Sequence, residues 1–430
     1  MTDVRDVRDV RDVRETTSCV VGAGPAGAML ALLLARQNIP VVLLEAHGDF
    51  DRDFRGDSLH PAILEVLDEL GLADRLLAEL PHRKIHQATL PTGIPAVIDF
   101  ARLRHRTRFP FMTLMPQARF LEFLTAEAAR SPCFALVRRA NVRELLVDGA
   151  AVRGVRYRAP DGWHELRALL TVGADGRFSQ VRRQSRLQAK TTASAIDVLW
   201  LCLPRLPTDP EGILGRVGHG TILLLADRGQ LWQLGMIIPK GSFPALRDAG
   251  LDSLHHTIVE LVPWLTDRVG HLQAWSQVSL LSVQADRLVR WWRPGLLLIG
   301  DAAHVMSPVA GNGINYAVAD AVATANLLGN PLAAGTLPNR DLIAVQRRRD
   351  WPTRITQTAV GLLQDRMLAQ ALRWQAGPPP AVAVLLRVLL GIPRLADLPL
   401  RVAAFGLRPE HVRSGSDAQA NPHVRDCQDP

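Results

Sequence analysis

Lysine, cysteine and aromatic residues are scarce in this chain of 430 residues. Only three of its 50 basic residues are lysines, and aromatic residues make up 5% of the sequence. The arginines alternate with acidic residues along the whole chain, so the net charge of +8 forms no basic run interleaved with aromatic residues. That pattern argues against a nucleic-acid partner. The composition is typical of an Arg-rich and Ala/Leu-rich bacterial protein.

The few cysteines and histidines show no metal-binding pattern. The four cysteines are Cys19, Cys133, Cys202 and Cys427, and they form no CxxC pair or other pair with ligand spacing. The histidines form no HxH or HExxH pattern. We therefore expect no metal site, and cysteine usage predicts a reducing, cytoplasmic location.

Long hydrophobic runs are also missing. No stretch approaches the ~20 apolar residues that a membrane-spanning helix needs. The first 14 residues repeat Asp-Val-Arg with alternating charge and contain no apolar segment, so they do not form a signal peptide. We expect residues 1–15 to be a disordered extension and residues 414–430 to be a disordered tail.

A glycine motif stands between two predicted buried strands near the start of the chain. Residues 18–21 are apolar, GAGPAG follows at 22–27, and VVLLEA at 41–46 comes after a helix-length run. This order predicts a βαβ unit in which the glycines let phosphates approach a helix N-terminus. Glu45 ends the second strand, 21 residues after Gly24, where an acid binds ribose hydroxyls. The sequence therefore predicts a dinucleotide site.

Two further motifs follow in order. GADGRFSQVRR at 173–183 ends a predicted strand that a hairpin turn at Asp161 and Gly162 introduces. LLLIGDAAHVMSPVAGNGIN at 296–315 is an apolar run that ends on an acid and passes into glycine-rich backbone. Such a run is typical of a buried strand that ends at a bound ligand.

The periodicity predicts an α/β fold, α+β overall. A Rossmann-like dinucleotide-binding domain would comprise residues 16–85, 101–185 and 286–345. An antiparallel-sheet substrate domain at 86–100 and 186–285 would be interleaved with it, and 346–413 would form C-terminal helices.

Taken together, the three motifs resemble those of the para-hydroxybenzoate hydroxylase family, the class A flavoprotein hydroxylases, across residues 16–413. The resemblance implies non-covalently bound FAD, with NADPH or NADH as reductant and O2 as co-substrate. It also implies a monooxygenase that hydroxylates a small phenolic or polycyclic aromatic compound through a flavin C4a-hydroperoxide. The single dinucleotide fingerprint fits this family, in which the nicotinamide cofactor has no Rossmann domain of its own.

The same resemblance assigns roles around the flavin. Asp301 would bind a hydroxyl of the ribityl or ribose chain, and Pro308 would lie beside the flavin face where oxygen reacts. Backbone amides of Gly311, Asn312 and Gly313 would stabilise negative charge at N1 and C2=O of the reduced flavin. Many relatives have Gln where this chain has Asn312, and a backbone role survives that change.

Further cofactor contacts are implied by the other motif positions. Asp175 and Gly176 match a motif associated with FAD and the pyridine nucleotide. Arg55 and Gln117 match positions near the cofactor, and Arg119 is a weaker neighbour. The remaining cofactor-binding positions are Gly22, Gly24, Ala26, Gly27, Glu45 and Gly300.

Several matters stay open from the sequence. Candidates for a substrate base are defined only by residue type: His60, His219, His304, Asp197 and Tyr316. Four tryptophans could belong to the core or line an aromatic pocket: Trp200, Trp232, Trp291 and Trp292. A homodimer and peripheral membrane contact through the C-terminal helices are also open.

Alternative activities use the same flavin fold. An epoxidase, oxidase or reductase could act on a non-aromatic natural product or lipid. A halogenase would need a WxWxIP motif, whereas WQLGMIIP at 232–239 has one Trp at the wrong spacing. A non-enzymatic binding protein of this fold would lack the intact flavin motifs.

Overall fold

The computed structural model describes residues 10–51, 57–89, 97–192, 194–307, 311–373 and 393–413. Its first large sheet has eight strands, and its central strands β20, β11, β1, β2 and β8 run parallel in that spatial order. Their side chains are almost all apolar and buried where helices cover the sheet, as in other parallel sheets. The strands of this sheet are β1 (Val10–Val21), β2 (Val41–Glu45), β8 (Phe134–Arg138), β9 (Asn141–Asp148), β10 (Ala151–Ala159), β11 (Gly162–Gly173), β19 (Trp292–Arg293) and β20 (Leu296–Leu298).

Helices pack on this sheet and on one another. Helix α1 is almost entirely buried because it crosses between β1 and β2 and also packs against the small residues of α8. The helices are α1 (Pro25–Arg36), α2 (Pro61–Glu69), α3 (Ala73–Glu79), α4 (Gln117–Ala128), α5 (Gln180–Ser185), α6 (Phe243–Asp248), α7 (Leu251–Leu261), α8 (Gly313–Ala333), α9 (Asn339–Arg373) and α10 (Pro393–Phe405).

The second large sheet has seven strands. Its strands alternate in side-chain direction, so one face packs against α7 and the other carries a separate apolar cluster that includes Val198, Ile222 and Ile237. We call this second surface the inner face. The strands, in spatial order, are β17 (Ser279–Ser282), β13 (Ile196–Pro204), β16 (Leu231–Pro239), β15 (Thr221–Asp227), β14 (Ile213–Gly218), β5 (Gln87–Thr89) and β6 (Val97–Asp99).

Two three-stranded sheets connect these layers. The first pairs β3 (Ser58–Leu59) with β7 (Met112–Leu114) and β7 with β4 (Arg83–Ile85). The second pairs β12 (Ala189–Thr192) with β18 (Ala285–Leu288) and β18 with β21 (His304–Val305). Helix α10 packs beside the first one through Leu400 and Ala404.

The structure corrects three details of the sequence analysis. Val10 to Glu15 are not a disordered extension but continue β1 alongside β11. Backbone pairing holds this segment although Val13 is 54% exposed, so the strand does not need an alternating apolar pattern. The segment FALVRRANVREL at 134–145 alternates like an antiparallel strand, but β8 within it pairs in parallel with β2. Residues 406–413 are not helical.

The fold class is confirmed as mixed α/β, with a βαβ unit at the first glycine motif and a hairpin between β10 and β11. Arg55, Pro308 and the tail 414–430 lie outside the described residues. Within the described ranges, no helix is both long and apolar enough to cross a membrane.

Candidate functional site

The three sequence motifs meet at the carboxyl ends of neighbouring parallel strands, because β1, β11 and β20 are adjacent in the sheet. A Cβ atom placed on Gly22 would lie 2.6 Å from the carbonyl oxygen of Ala174. A Cβ on Gly300 would lie 3.1 Å from the Cβ of Ala26 and 3.6 Å from the Cβ of Ala317. The end of β20 is therefore wedged between α1 and α8, in the crevice where open α/β sheets bind ligands.

The glycine loop is tight at two positions and open at a third. Gly22 has φ +97°, and a Cβ on Gly27 would lie 1.9 Å from the Gly22 carbonyl oxygen. By contrast, no atom of the described structure lies within 4 Å of a Cβ placed on Gly24. Gly24 is also the N-cap of α1 and provides no side-chain cap. The loop thus leaves space and amide donors for an anion at the helix N-terminus.

Glu45 is buried at the end of β2 and faces this loop. Its carboxylate accepts hydrogen bonds from the backbone amides of Ala23, at 2.9 Å, and His47, at 3.0 Å. The carboxylate is therefore held beside the glycine loop by its neighbours' backbone. A carboxylate has further lone pairs with which it can accept bonds from ribose hydroxyls.

Asp301 follows β20 and differs from every other motif carboxylate. No hydrogen bond or ion pair reaches its side chain from any residue in the described ranges. Burial raises the pKa of Asp301 above its ordinary value; the charges of Arg177 and His304 oppose this shift and those of Asp286 and Asp320 add to it. An acceptor in a half-buried position without a donor from the described residues fits a ligand that brings hydroxyl groups.

The start of α8 lies on the other side of the same motif. Asn312 is the N-cap but makes no side-chain cap, and a Cβ on Gly313 would have no neighbour within 4 Å in the part of the chain described. The Ser58 hydroxyl donates to the Gly311 carbonyl oxygen at 3.2 Å and fixes the loop before the helix. The first-turn amides of α8 are thus positioned for a group that carries or develops negative charge.

Asp175 has a structural use that its motif did not reveal. Its carboxylate accepts hydrogen bonds from the Ser179 hydroxyl (2.5 Å) and from the amides of Gln180 (2.7 Å) and Val181 (3.1 Å), so it caps α5. Burial raises the pKa of Asp175, and these donors oppose the shift. Gly176, beside it, borders open space.

Gln117 begins α4, as expected. Its backbone amide donates to Asp57 at 3.2 Å, while its side-chain amide has no hydrogen-bond partner among the residues described. Arg119 is exposed and pairs with Glu122 at 3.0 Å, which favours a surface role.

These residues fit FAD as a ligand. The open position at Gly24 and the N-terminus of α1 suit a pyrophosphate, Glu45 and Asp301 are acceptors for hydroxyls, and the uncapped start of α8 suits an electron-accepting ring. Within the described ranges, no group of three or more His, Cys, Asp or Glu side chains could hold a metal ion.

The five candidate bases fall into different environments. Asp197 accepts bonds from Lys240 Nζ (2.7 Å) and the Gly241 amide (3.0 Å), and its pKa lies below its ordinary value because these donors outweigh burial. His219 is at the surface beside Glu260. Such groups are committed to structural contacts or lie far from the motif loops.

Two of the remaining candidates, His304 and Tyr316, are buried with partners of their own. His304 Nε2 donates to Asp320 at 2.6 Å, and its ring packs on that of Trp291, with centroids 4.9 Å apart. The Tyr316 hydroxyl hydrogen bonds with Thr356. Both therefore belong to the scaffold beneath the motif.

His60 is the candidate that the structure brings to the flavin motif. Its Nδ1 donates to the carbonyl oxygen of Ala403 at 2.8 Å, while its buried Nε2 has no partner in the described structure. A Cβ on Gly311 would lie 3.7 Å from that nitrogen. Burial lowers the pKa of His60 to about 4, although the carbonyls of Ala403 and Gly311 act in the opposite direction. His60 is therefore neutral at ordinary pH.

A polar contact that no motif indicated joins the seven-stranded sheet to the residue before β3 of the first three-stranded sheet. Arg228, after β15, binds the Asp57 carboxylate and donates through Nε to Gln233 Oε1 at 2.8 Å. Asp57 directly precedes Ser58, which binds Gly311. Through these contacts, Arg228 and Gln233 at one end of the inner face are linked to the loop before α8.

The inner face carries one large aromatic side chain near this contact. Trp200 pairs across the sheet with Gly235, and a Cβ on Gly235 would lie 2.9 Å from the Trp200 ring. The indole therefore lies against the sheet in space that only glycine provides. Its Nε1 donor is buried, and no described residue accepts from it. Trp232 and Trp291, by contrast, are fully buried, and Trp292 nearly so.

Comparison with known proteins agrees with this site. The model of a family described as an FAD binding domain matches residues 15–359. A 6-methylpretetramide 4-monooxygenase of Streptomyces rimosus is 33% identical over 95% of this chain and 96% of its own length. The phenazine 1,6-dicarboxylic acid hydroxylase PhzS of Lysobacter antibioticus is 27% identical over 80% of this chain and 88% of its own.

A solved structure has the same fold. The OxyS anhydrotetracycline hydroxylase of Streptomyces rimosus superimposes with a TM-score of 0.72 at 22% identity, over 94% of this chain and 78% of that one. The family match and the first relative together confirm the resemblance in the three motifs. The chain therefore belongs to the FAD-dependent aromatic monooxygenases of the class A hydroxylase type, which use NAD(P)H and O2.

Proposed function

We propose that this enzyme hydroxylates a flat, polycyclic phenolic compound that lies between the inner face and the loop before α8. The observation that carries this proposal is the Trp200 indole, which lies flat against Gly235 with a buried, unpartnered donor. Relatives named for the hydroxylation of a methylpretetramide and of a phenazine support a substrate with fused aromatic rings.

The cofactor would be held by residues from all three motifs. We assign the pyrophosphate to the Gly22–Gly24–Gly27 loop with Ala26, the adenosine ribose to Glu45, and the ribityl chain to Asp301 with Gly300. Gln117 and Gly176 border the same crevice, and Asp175 acts by shaping the turn at Gly176. Bound FAD supplies the redox chemistry, taking electrons from NAD(P)H and activating O2.

The start of α8 would provide electrostatic stabilisation. Amides of Gly313 and the next residues would donate to the pyrimidine end of the flavin, where negative charge develops on reduction. Gly311 and Asn312 set the direction of these donors, with Ser58 and His60 beside Gly311. The neighbouring Pro308 and Arg55 stay assigned to the cofactor's surroundings from the motifs alone.

The inner face would bind and shield the substrate. Val198, Ile222 and Ile237 are buried in this face and would keep its lining apolar, so that water is excluded from the reacting atoms. Trp200 would stack on the ring system and donate from Nε1 to a substrate oxygen, which gives that donor the partner it lacks. Arg228, already neutralised by Asp57, would close one end of this surface.

The decisive experiment measures NADPH and NADH consumption in air by the FAD-loaded protein. We would compare anhydrotetracycline, phenazine-1,6-dicarboxylic acid and simple phenols, and read the products by mass. We expect fused-ring compounds to stimulate consumption and to gain one oxygen atom, and single-ring phenols to do so weakly. This assay also decides between the two nicotinamide cofactors.

Other outcomes would redirect the assignment. An oxygenated product only from non-aromatic lipids or alkenes would contradict the aromatic substrate and favour epoxidation. Consumption that no fused-ring compound stimulates, with single-ring phenols fully converted, would contradict the polycyclic class and leave the family activity intact.

The cellular location, membrane association and oligomeric state are further parts of the proposal. We propose a cytoplasmic enzyme, with peripheral membrane contact through the C-terminal helices and a homodimer as the two associations to test. Exposed Leu398 on α10 supports the membrane contact. Sedimentation with anionic vesicles and light scattering of the purified protein test the two associations separately.

A further inference from the structure

A buried network of charged side chains extends from the flavin motif to the C-terminal segment. Asp320 on α8 is its centre, and its side chain is fully buried. Its Oδ2 accepts from the Gly300 amide at 3.0 Å and from His304 Nε2 at 2.6 Å, and its Oδ1 accepts from Arg349 Nε at 2.9 Å. Burial alone would raise the pKa of Asp320, but His304 and Arg349 outweigh it, so this pKa lies below its ordinary value.

The charged network continues into residues 408–410. Arg349 Nη1 donates to Glu410 Oε1 and to the Arg408 carbonyl oxygen, both at 3.3 Å. Arg348 binds the same glutamate through Nε, at 2.9 and 2.8 Å, and through Nη2, at 2.7 Å. The side chains of Arg349 and Glu410 are 2% and 0% exposed. Such buried charges depend on each other, because removal of one leaves its partner uncompensated.

At the flavin motif, this charged network acts on the backbone before Asp301, the residue assigned to the ribityl chain. Gly300 has φ +58° and sits between Ala26 and Ala317, so its backbone has little freedom to shift. The hydrogen bond from the Gly300 amide to Asp320 fixes the Ile299–Gly300 peptide, one residue before Asp301. The Asp301 side chain has no partner among the described residues, so its direction depends on this backbone.

We propose that Glu410 is a positioning residue for the FAD site, acting through Arg349 and Asp320 on Gly300 and thus on Asp301. This inference rests on the proposed function, since it takes Asp301 as an FAD ligand. It adds that the C-terminal segment takes part in cofactor binding although it lies outside all three motifs in the sequence.

The structure offers a matched control for the test. Glu69 on α2 holds the same C-terminal segment, accepting from His411 Nδ1 at 2.6 Å and from the Val412 amide at 2.7 Å. In the described structure, no hydrogen bond or ion pair joins Glu69 to Asp320 or Arg349. Glu410→Gln and Glu69→Gln therefore both loosen the segment, but only the first disturbs the route to Gly300.

The measurement is the dissociation constant for FAD, by titration of the full-length apoprotein. We expect Glu410→Gln to raise it about tenfold, within the range of ordinary coupling between sites. Glu69→Gln should change it by less than about twofold, as expected of a partly exposed pair. Equal effects of the two variants, or an unchanged constant in Glu410→Gln, would overturn the proposal.

A double-mutant cycle separates positioning from general loosening. If Glu410 acts through Asp301, its replacement should cost less than about twofold in an Asp301→Asn background. A full tenfold cost in that background would contradict the proposed route. If Asp301→Asn itself leaves FAD affinity unchanged, the site assignment fails; if it weakens FAD and Glu410→Gln does not, only this inference fails.

Discussion

The two large sheets present opposite kinds of surface to the site. The parallel sheet offers backbone amides, glycines and two acids at its strand ends, whereas the antiparallel sheet offers the side chains of its inner face. Backbone geometry at a strand end requires particular residues at fixed spacing, and this produces a motif. An inner face needs only apolar side chains from several strands, so many sequences satisfy it. The proposed cofactor site therefore leaves a motif in the sequence, whereas the proposed substrate surface does not.

The largest effect should come from the tightest glycine of the strand-end region. In Gly27→Ala the new Cβ would lie 1.9 Å from the Gly22 carbonyl oxygen, so α1 must move away from β1. We expect the apoprotein to lose on the order of 3 kcal/mol of unfolding free energy. Chemical denaturation of the apoprotein measures this loss.

Gly24→Ala is the matched control in the same loop. Its Cβ would enter open space, so we expect unfolding to stay within about 0.5 kcal/mol of the unaltered protein. FAD should nevertheless bind about tenfold more weakly, because the methyl group would occupy the space assigned to the pyrophosphate. Normal FAD binding in Gly24→Ala would show that the cofactor does not approach this position.

The second effect concerns Asp301. It distinguishes this residue from Asp320, whose carboxylate accepts three hydrogen bonds. Asp301→Asn removes an acceptor that has no protein donor, so we expect about 2 kcal/mol weaker FAD binding, typical of bonds to charged groups. The apoprotein should melt at the same temperature or higher, since the charge that is lost is half-buried and has no partner among the described residues. Fluorescence titration with FAD and thermal melting of the apoprotein check both parts.

Asp320→Asn should behave in the opposite way. It removes one of the two carboxylates that pair with the buried Arg349 guanidinium and leaves Arg349 to share Glu410 with Arg348, so the apoprotein should lose about 3 kcal/mol or more. If Asp301→Asn destabilised the apoprotein as much as Asp320→Asn, Asp301 would be a structural residue.

The third prediction addresses the inner face. Trp200→Ala should raise KM for a fused-ring substrate about tenfold, with FAD affinity unchanged, because the stacking surface and its donor are lost. Trp351→Ala, at a residue 42% exposed on α9, serves as the control and should leave KM unchanged. A Trp200→Ala enzyme with unaltered KM would remove Trp200 from the substrate site.

The smallest effect is a pH dependence of the folding stability, which His60 causes. His60 has a folded-state pKa of about 4, below the ordinary value near 6.5. Between these values only the unfolded chain binds the proton, so stability falls as pH decreases through this window. From pH 7.5 to 5.5 we expect about 1 kcal/mol of loss from this group.

His60→Gln tests that assignment, since Gln can still donate to the Ala403 carbonyl oxygen but does not titrate. The difference in stability between pH 7.5 and 5.5 should shrink by the same amount in the variant. An unchanged pH dependence would show that His60 is protonated in the folded protein.

Local sequence determined most of the cofactor region. Gly22 and Gly27 are dictated by close backbone approach within one βαβ unit, and the GD and GNG steps mark where an apolar strand meets a ligand. These constraints act over a few residues, so the family, the fold class and FAD could all be predicted from three short motifs. Asp175 shows the limit, because its motif did not reveal that its carboxylate caps α5.

Only the tertiary structure decided which distant side chains meet. Asp320 and Arg349 are 29 residues apart, Arg349 and Glu410 are 61 apart, and Asp57 and Arg228 are 171 apart. A lone Asp in an apolar helix signals that a buried charge needs a partner, but many arginines in this chain could supply it. The Trp200–Gly235 pair likewise depends on strand register. Local backbone geometry is written in short motifs, whereas charge pairing and surface composition depend on chain packing that brings together residues with no fixed spacing.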